Sequence, residues 1–427
     1  MKRNHWIRPA IFYFIFFPLI NPVFCQDSNW THFRGTALNG IAEAVNPPVR
    51  WTPDSNIVWK SEIHGRGWSS PVVYGDQVWL TTATENGYEM YAVCLDYKTG
   101  KTIYDIKLFT PDTVYGKHSI NSYATPTPCI EEGFVYVHFG TYGTACLRTS
   151  DGSVVWKFNG LTCDHVQGPG SSPIIYRNLL ILHLEGIDVQ YITALDKSSG
   201  EIIWKVQRPW DLMEPLAPIG RKAYITPLVI SLNGRDLLIS NGSAVCIAYD
   251  PLTGKEVWRI IEGEDSTIAS PVSEDGKVFF YTSFVTPPAG EQYAELMAVD
   301  PSGSGDISAT SILWRMKVPI LQLLTPVIRN GLIYTIDTKS NLMCIDAADG
   351  KIVWSDKLPG KYNSSPICAA GNIYFCSTNG KTVVIKEGRQ LEIITENELD
   401  GEIWATPAVV KDNILIRTSR YLYRIGA

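Results

Sequence analysis

The 427-residue sequence contains no phosphate-binding glycine loop, zinc signature, nucleophile elbow or protein-kinase motif set. Nucleotide, zinc-hydrolase and serine-hydrolase chemistry therefore have no support in it. It has no Cys-x-x-Cys pair, and no histidine stands at zinc-ligand spacing from a cysteine. Neither sign of charge dominates: 37 Lys and Arg against 43 Asp and Glu leave a net charge of −6. Such a balance offers no basic surface for nucleic acid or an anionic membrane. The N-terminal apolar run, Ala10 to Ile20, is too short to span a bilayer, so no transmembrane helix is expected in the mature chain. Lys2, Arg3 and Arg8 flank that run and Val23-Phe-Cys25 follows it, so residues 1–25 read as an export signal cleaved before Gln26. A periplasmic or secreted protein is expected. Acylation at Cys25 is the alternative, disfavoured by bulky Phe24 where lipoprotein signals carry a small residue.

Two spaced markers repeat along the chain. In the first, a turn glycine precedes an aromatic by four residues: Gly100 and Tyr104, Gly152 and Trp156, Gly200 and Trp204, Gly254 and Trp258, Gly350 and Trp354. An Asp usually stands before the glycine (Asp96, Asp196, Asp250, Asp346), where its side chain bonds back to the turn while glycine supplies positive φ. The second marker is a Ser-Pro or Thr-Pro opening an apolar run, at Pro71, Pro126, Pro173, Pro227, Pro271, Pro326, Pro366 and Pro407. Proline is tolerated at the first residue of a strand. The mean spacing of these prolines is 48 residues, enough for four short strands, which is the blade of a β-propeller.

Eight openings predict eight four-stranded antiparallel blades in an all-β fold. Rim aromatics give a matching tally: Trp59, Tyr104, Trp156, Trp204, Trp258, Trp314 and Trp354, with a degenerate position near Ile393–Ile394. Residues 26–55 read as an irregular leader and 56–427 as the propeller. The strand around Trp59 has no three strands before it, and the three strands after Ala405 have no rim strand, so the two should share one blade and close the ring. Cys94, Cys146, Cys246 and Cys344 recur on the third strand of different blades and should be free and buried.

The Ser/Thr-Pro openings and the Asp-x3-Gly-x3-Trp units resemble the PQQ-type (pyrroloquinoline quinone) propeller repeat. The stretch Trp30 to Gly40 with Gly65-Arg-Gly-Trp-Ser-Ser-Pro71 resembles the start of exported bacterial PQQ-like proteins, a superfamily that includes the BamB scaffold and the quinoprotein alcohol dehydrogenases. The resemblance implies that each rim aromatic docks on the neighbouring blade. Alcohol-oxidising members carry an adjacent Cys-Cys pair and a calcium-ligand set. This chain has no Cys-Cys pair, and no matching calcium ligands can be assigned.

A propeller's ligand site is usually the mouth of its channel, lined by the loops entering each inner strand. Those loops hold Arg66, Trp68, His118, Asn121, Tyr123, His165, Arg221, Tyr224, Tyr362 and Trp404. Their rings either form a stacking platform for a ligand or pack as plugs under the loops. His118 or His165 could act as a base with Asp164 or Glu402 as partner, and Glu185 with Asp188 could hold a hard cation. The expected function is non-catalytic: a monomeric envelope module binding a protein or a polysaccharide, with no cofactor. The alternatives are a dehydrogenase using PQQ and calcium, and a carbohydrate-binding propeller.

Overall fold

A computed structural model describes residue 1 and residues 29–44, 46–263, 267–319 and 322–426. The export-signal reading of residues 1–25 lies outside the described residues, Met1 apart. Eight sheets surround one axis. Blade one runs through Val72–Tyr74, Gln77–Ala83, Met90–Asp96 and Thr102–Phe109, from axis to rim. The following blades repeat this plan, with inner strands at Cys129–Glu131, Ile174–Tyr176, Leu228–Leu232, Val272–Glu274, Val327–Arg329, Ile367–Ala369 and Ala408–Val410. In blade eight, Ile57–Glu62 pairs antiparallel with Tyr421–Ile425, from Ile57 opposite Ile425 to Glu62 opposite Tyr421. The first and last strands of the propeller thus close the ring.

The spacing between turn glycine and aromatic follows from how one blade meets the next. Each rim aromatic reaches the hairpin turn of the following blade and donates a hydrogen bond to a backbone carbonyl there. Trp59 Nε1 donates to Tyr97 O at 2.9 Å, Tyr104 Oη to Ser150 O at 2.7 Å and Trp156 Nε1 to Lys197 O at 3.0 Å. Trp204, Trp258, Trp314 and Trp354 reach Pro251, Pro301, Ala347 and Gly388 in the same way. The ring then lies over the turn glycine: a Cβ on Gly200 would stand 2.7 Å from Trp156, and one on Gly100 2.6 Å from Trp59. Gly200 also holds φ +78°, so the position requires glycine for both reasons. Blade seven has no aromatic on its outer strand, Ile393–Glu398. There the leader supplies Trp51, which stacks on Tyr374 with ring centroids 6.3 Å apart and whose backbone N–H bonds to Asn397.

The last hairpin of blade five, between Ala294–Val299 and Ile312–Val318, is long. Its Gly305–Asp306 segment pairs in parallel with Trp258 and Arg259 and widens blade four by one strand. All eight cysteines from Cys94 onward are buried and unpaired. Cys94, Cys146, Cys246 and Cys344 lie on third strands of four blades.

Candidate functional site

Inner strands of a propeller expose an unpaired edge to the axis. Here the leader covers part of it. Trp30 exchanges two backbone hydrogen bonds of 2.8 Å with Val73, Thr31 O accepts from Ile130 N, and His32 Nε2 accepts from Ile175 N. Further on, Ile41–Ala42 pairs in parallel with Cys368–Ala369. Between these contacts the chain turns through Arg34 and Gly35, with φ of +64° and +88°. Gly35 packs against Trp30 and Gly40 against Arg34 so closely that neither has room for a Cβ. The turn places Arg34 at the axis, where its guanidinium donates to the carbonyls of Thr325, Pro326, Pro366 and Asn39 at 2.7–3.0 Å. Among the described residues no carboxylate neutralises it, and burial lowers its pKa to about 9.

One level above the leader lies a girdle of hydroxyls made by the Ser/Thr-Pro markers, except in blade two, where Thr127-Pro128 directly before the strand Cys129–Glu131 takes the place of the expected Thr125-Pro126. Each blade's backbone N–H donates to the hydroxyl oxygen of the next: Ser70 to Thr127, Thr127 to Ser172, Ser172 to Thr226 and Thr226 to Ser270. The series continues from Ser270 to Thr325, Thr325 to Ser365 and Ser365 to Thr406, all at 2.9–3.1 Å. It stops at the closing seam, where the Ser70 hydroxyl is buried with no partner. Arg417 bridges that seam instead, donating to Ser69 O, Ser69 Oγ and Thr81 O. In the sequence these Ser and Thr are legible only as strand openers, and Thr127 not even as that.

The girdle encloses a cavity of about 360 Å³, floored by Phe33 from the leader. This volume is within the range of roughly 300–1,000 Å³ usual for small-molecule sites. Of the ten mouth residues picked out in the sequence, Trp68, His118, Asn121, Tyr224 and Trp404 line the cavity. Trp68 and Trp404 stack with centroids 5.3 Å apart and planes 18° apart. Trp68 is buried, its Nε1 bonded to Ile120 O, whereas Trp404 is half-buried. The Arg66 guanidinium lies 5.0 Å from the Trp68 ring and pairs with Glu85 at 2.9 Å. Asn121 is fully engaged, donating to Gln167 O and Pro169 O while Thr125 and the Ser122 backbone donate to it.

Arg66 and the other four are not among the cavity-lining residues. Tyr123 packs in the core between blades one and two and donates to Tyr115 O. Tyr362, almost wholly buried, donates to Pro359 O. Arg221 bonds back to Leu216 O and Glu214 O in its own loop and covers Trp210. His165 is buried, which lowers its pKa to about 4, and its Nδ1 lies 3.6 Å from Cys163 Sγ.

Neither proposed base has the carboxylate it would need. Asp164 accepts from Val166 N and Glu402 from Trp404 Nε1, while exposed His118 accepts from Ile120 N. The Cys163 thiol is pushed up by burial, so the Cys163–His165 pair is neutral rather than an activated thiolate. The suggested cation pair is overturned. Glu185 is fully buried in an ion pair with Arg208, held by Ser243 N at 3.0 Å, and has His183 3.6 Å away. Asp188 instead accepts the backbone N–H groups of Asp164 and Val189. Glu185 and Arg208 join blades three and four, and Gly242 leaves the room they need.

Four-stranded blades, rim aromatics docked on the next blade's turn, and a Ser/Thr-Pro girdle define a PQQ-repeat β-propeller. Residues 39–207, 188–304 and 303–420 match the family described as outer membrane protein assembly factor BamB, and the chain belongs to that family. It is 22% identical to BamB of Yersinia pestis over 251 residues, which are 49% of this chain and 62% of that protein. The chain therefore spans somewhat under two thirds of that relative. Among solved structures, BamB of Moraxella catarrhalis superposes with a TM-score of 0.60 at 12% identity, over 86% of this chain and 99% of that one. Quinohemoprotein alcohol dehydrogenase of Comamonas testosteroni gives 0.65 at 12% identity, over 93% and 80%. Likeness at this identity establishes the fold alone.

Among the described residues no helix is long and apolar enough to cross a membrane, and no three His, Cys, Asp or Glu side chains cluster as metal ligands. The described cavity lining includes no Asp, Glu, Lys or Arg. PQQ is a tricarboxylate and its calcium takes carboxylate oxygens. This lining offers neither a cation for the one nor an acid for the other, so it does not fit that cofactor.

Proposed function

We propose that the chain is an exported, non-catalytic binding module of the bacterial envelope that works through the mouth of its channel. The observation that carries this reading is the cavity, floored by Phe33, lined without charge and rimmed by the stacked Trp68 and Trp404. The signal-like residues 1–25 support export. Membership of a family described by an outer-membrane assembly factor supports a role in holding other envelope components. Photo-crosslinking from position 404 in the native envelope tests the reading. A discrete crosslinked partner is expected, reduced by Asn363→Leu in the cavity lining at unchanged melting temperature. Crosslinking only from rim positions such as Trp204 would place the working face elsewhere. Adding PQQ and calcium to pure protein should give neither a bound-quinone spectrum nor dye reduction with alcohols.

A further inference from the structure

We propose that the channel cavity binds a neutral saccharide, taken up as a chain end or short branch. The proposal rests on the reading that the mouth is the working face. Its first support is the donor balance of the girdle. Each of the seven linked hydroxyls accepts the neighbouring blade's N–H, and among the described residues none donates to any protein acceptor. All seven line the cavity and are buried. A hydroxyl whose oxygen is engaged still has one proton to give, so the wall is a ring of seven O–H donors.

The second support is a pair of side-chain amides. Gln167 and Asn363 line the cavity from the loops entering blades three and seven. Blades three and seven stand four apart in a ring of eight, so these amides face each other across the channel. Neither side chain has a protein partner among the described residues, and each can both donate and accept. The third support is Trp404, half-buried and backed by the Trp68 ring.

A pyranose ring matches all three. Its C–H face packs on an indole, its ring and hydroxyl oxygens accept from the girdle, and its hydroxyl protons find the amide oxygens. An acidic ligand would meet no countercharge in the described lining. Arg34 and Arg417, buried nearby, already donate to backbone carbonyls. Because Phe33 and the leader stop the channel below, the sugar enters and leaves by the mouth, which favours an end over the middle of a long chain.

The mature chain would be titrated with neutral gluco-, manno-, galacto-, xylo- and N-acetylglucosamine hexasaccharides, and with hexagalacturonate, by calorimetry and tryptophan fluorescence. At least one neutral sugar should bind in the micromolar to roughly millimolar range with a change in tryptophan emission, and hexagalacturonate should not. Trp404→Ala, Gln167→Leu and Asn363→Leu should each weaken binding about tenfold or more at unchanged melting temperature. No neutral binder, a preference for galacturonate, or full affinity in all three variants would overturn the proposal. If the sugars fail while crosslinking from position 404 still captures a partner, only the saccharide falls. If both fail, the mouth reading falls with it.

Discussion

Histidine shows most clearly, at the scale of single residues, what burial does to chemistry in this fold. His32, His138 and His165 are held down to about 4, 3 and 4, and His183 lies well below its ordinary value, in each case chiefly through desolvation. In the unfolded chain the same imidazoles titrate near 6.5. Between those limits the unfolded state binds protons that the folded state refuses, so stability falls as pH drops from about 6.5 toward 4. Each such histidine contributes a slope of up to about 1.4 kcal/mol per pH unit. Glu262, whose carboxyl burial raises, acts in the opposite sense, so the difference between proteins isolates the imidazole. His138→Gln should flatten the pH dependence of denaturant midpoints across this window by about one proton's worth. An unchanged slope would mean that His138 charges within the fold. Sequence alone marked His165 as a loop histidine near acids. What makes it inert is the depth of its loop, which depends on distant parts of the chain.

Among elements, legibility follows whether an interaction repeats at a fixed distance along the chain. A rim aromatic always meets the turn one blade later, so its spacing betrays it. The Ser/Thr-Pro openings were equally visible, but the bond each hydroxyl accepts comes from the preceding blade and leaves no local trace beyond a small polar residue. The leader was illegible for a stronger reason: Arg34 bonds to Thr325 and Pro366, about 300 residues away and outside any period. Thr127→Val tests the girdle at one link. It keeps the shape and removes the acceptor for Ser70 N–H, leaving a buried donor unsatisfied at a cost of roughly 1–3 kcal/mol. Thr127→Ser, which keeps the oxygen, should lose much less, and equal losses in chemical denaturation would deny the hydrogen bond its role.

Across the whole molecule, stability depends on a ring that must be closed. Trp59 docks at the seam as Trp204 docks between blades three and four, so Trp59→Ala should cost about 3–5 kcal/mol, as truncating a buried tryptophan does. Removing residues 26–63 should lower the melting temperature further, since it also uncovers the edge of Tyr421–Ile425 and the floor of the channel. A construction-independent check is limited proteolysis, which should cut first at the strand left bare. The closure has a consequence in time. The strand that completes blade eight is made first and its partner, about 360 residues later, is made last. At roughly 5–20 residues per second, synthesis holds that strand single for about 20–70 s, and a chain released before residue 421 leaves it single for good.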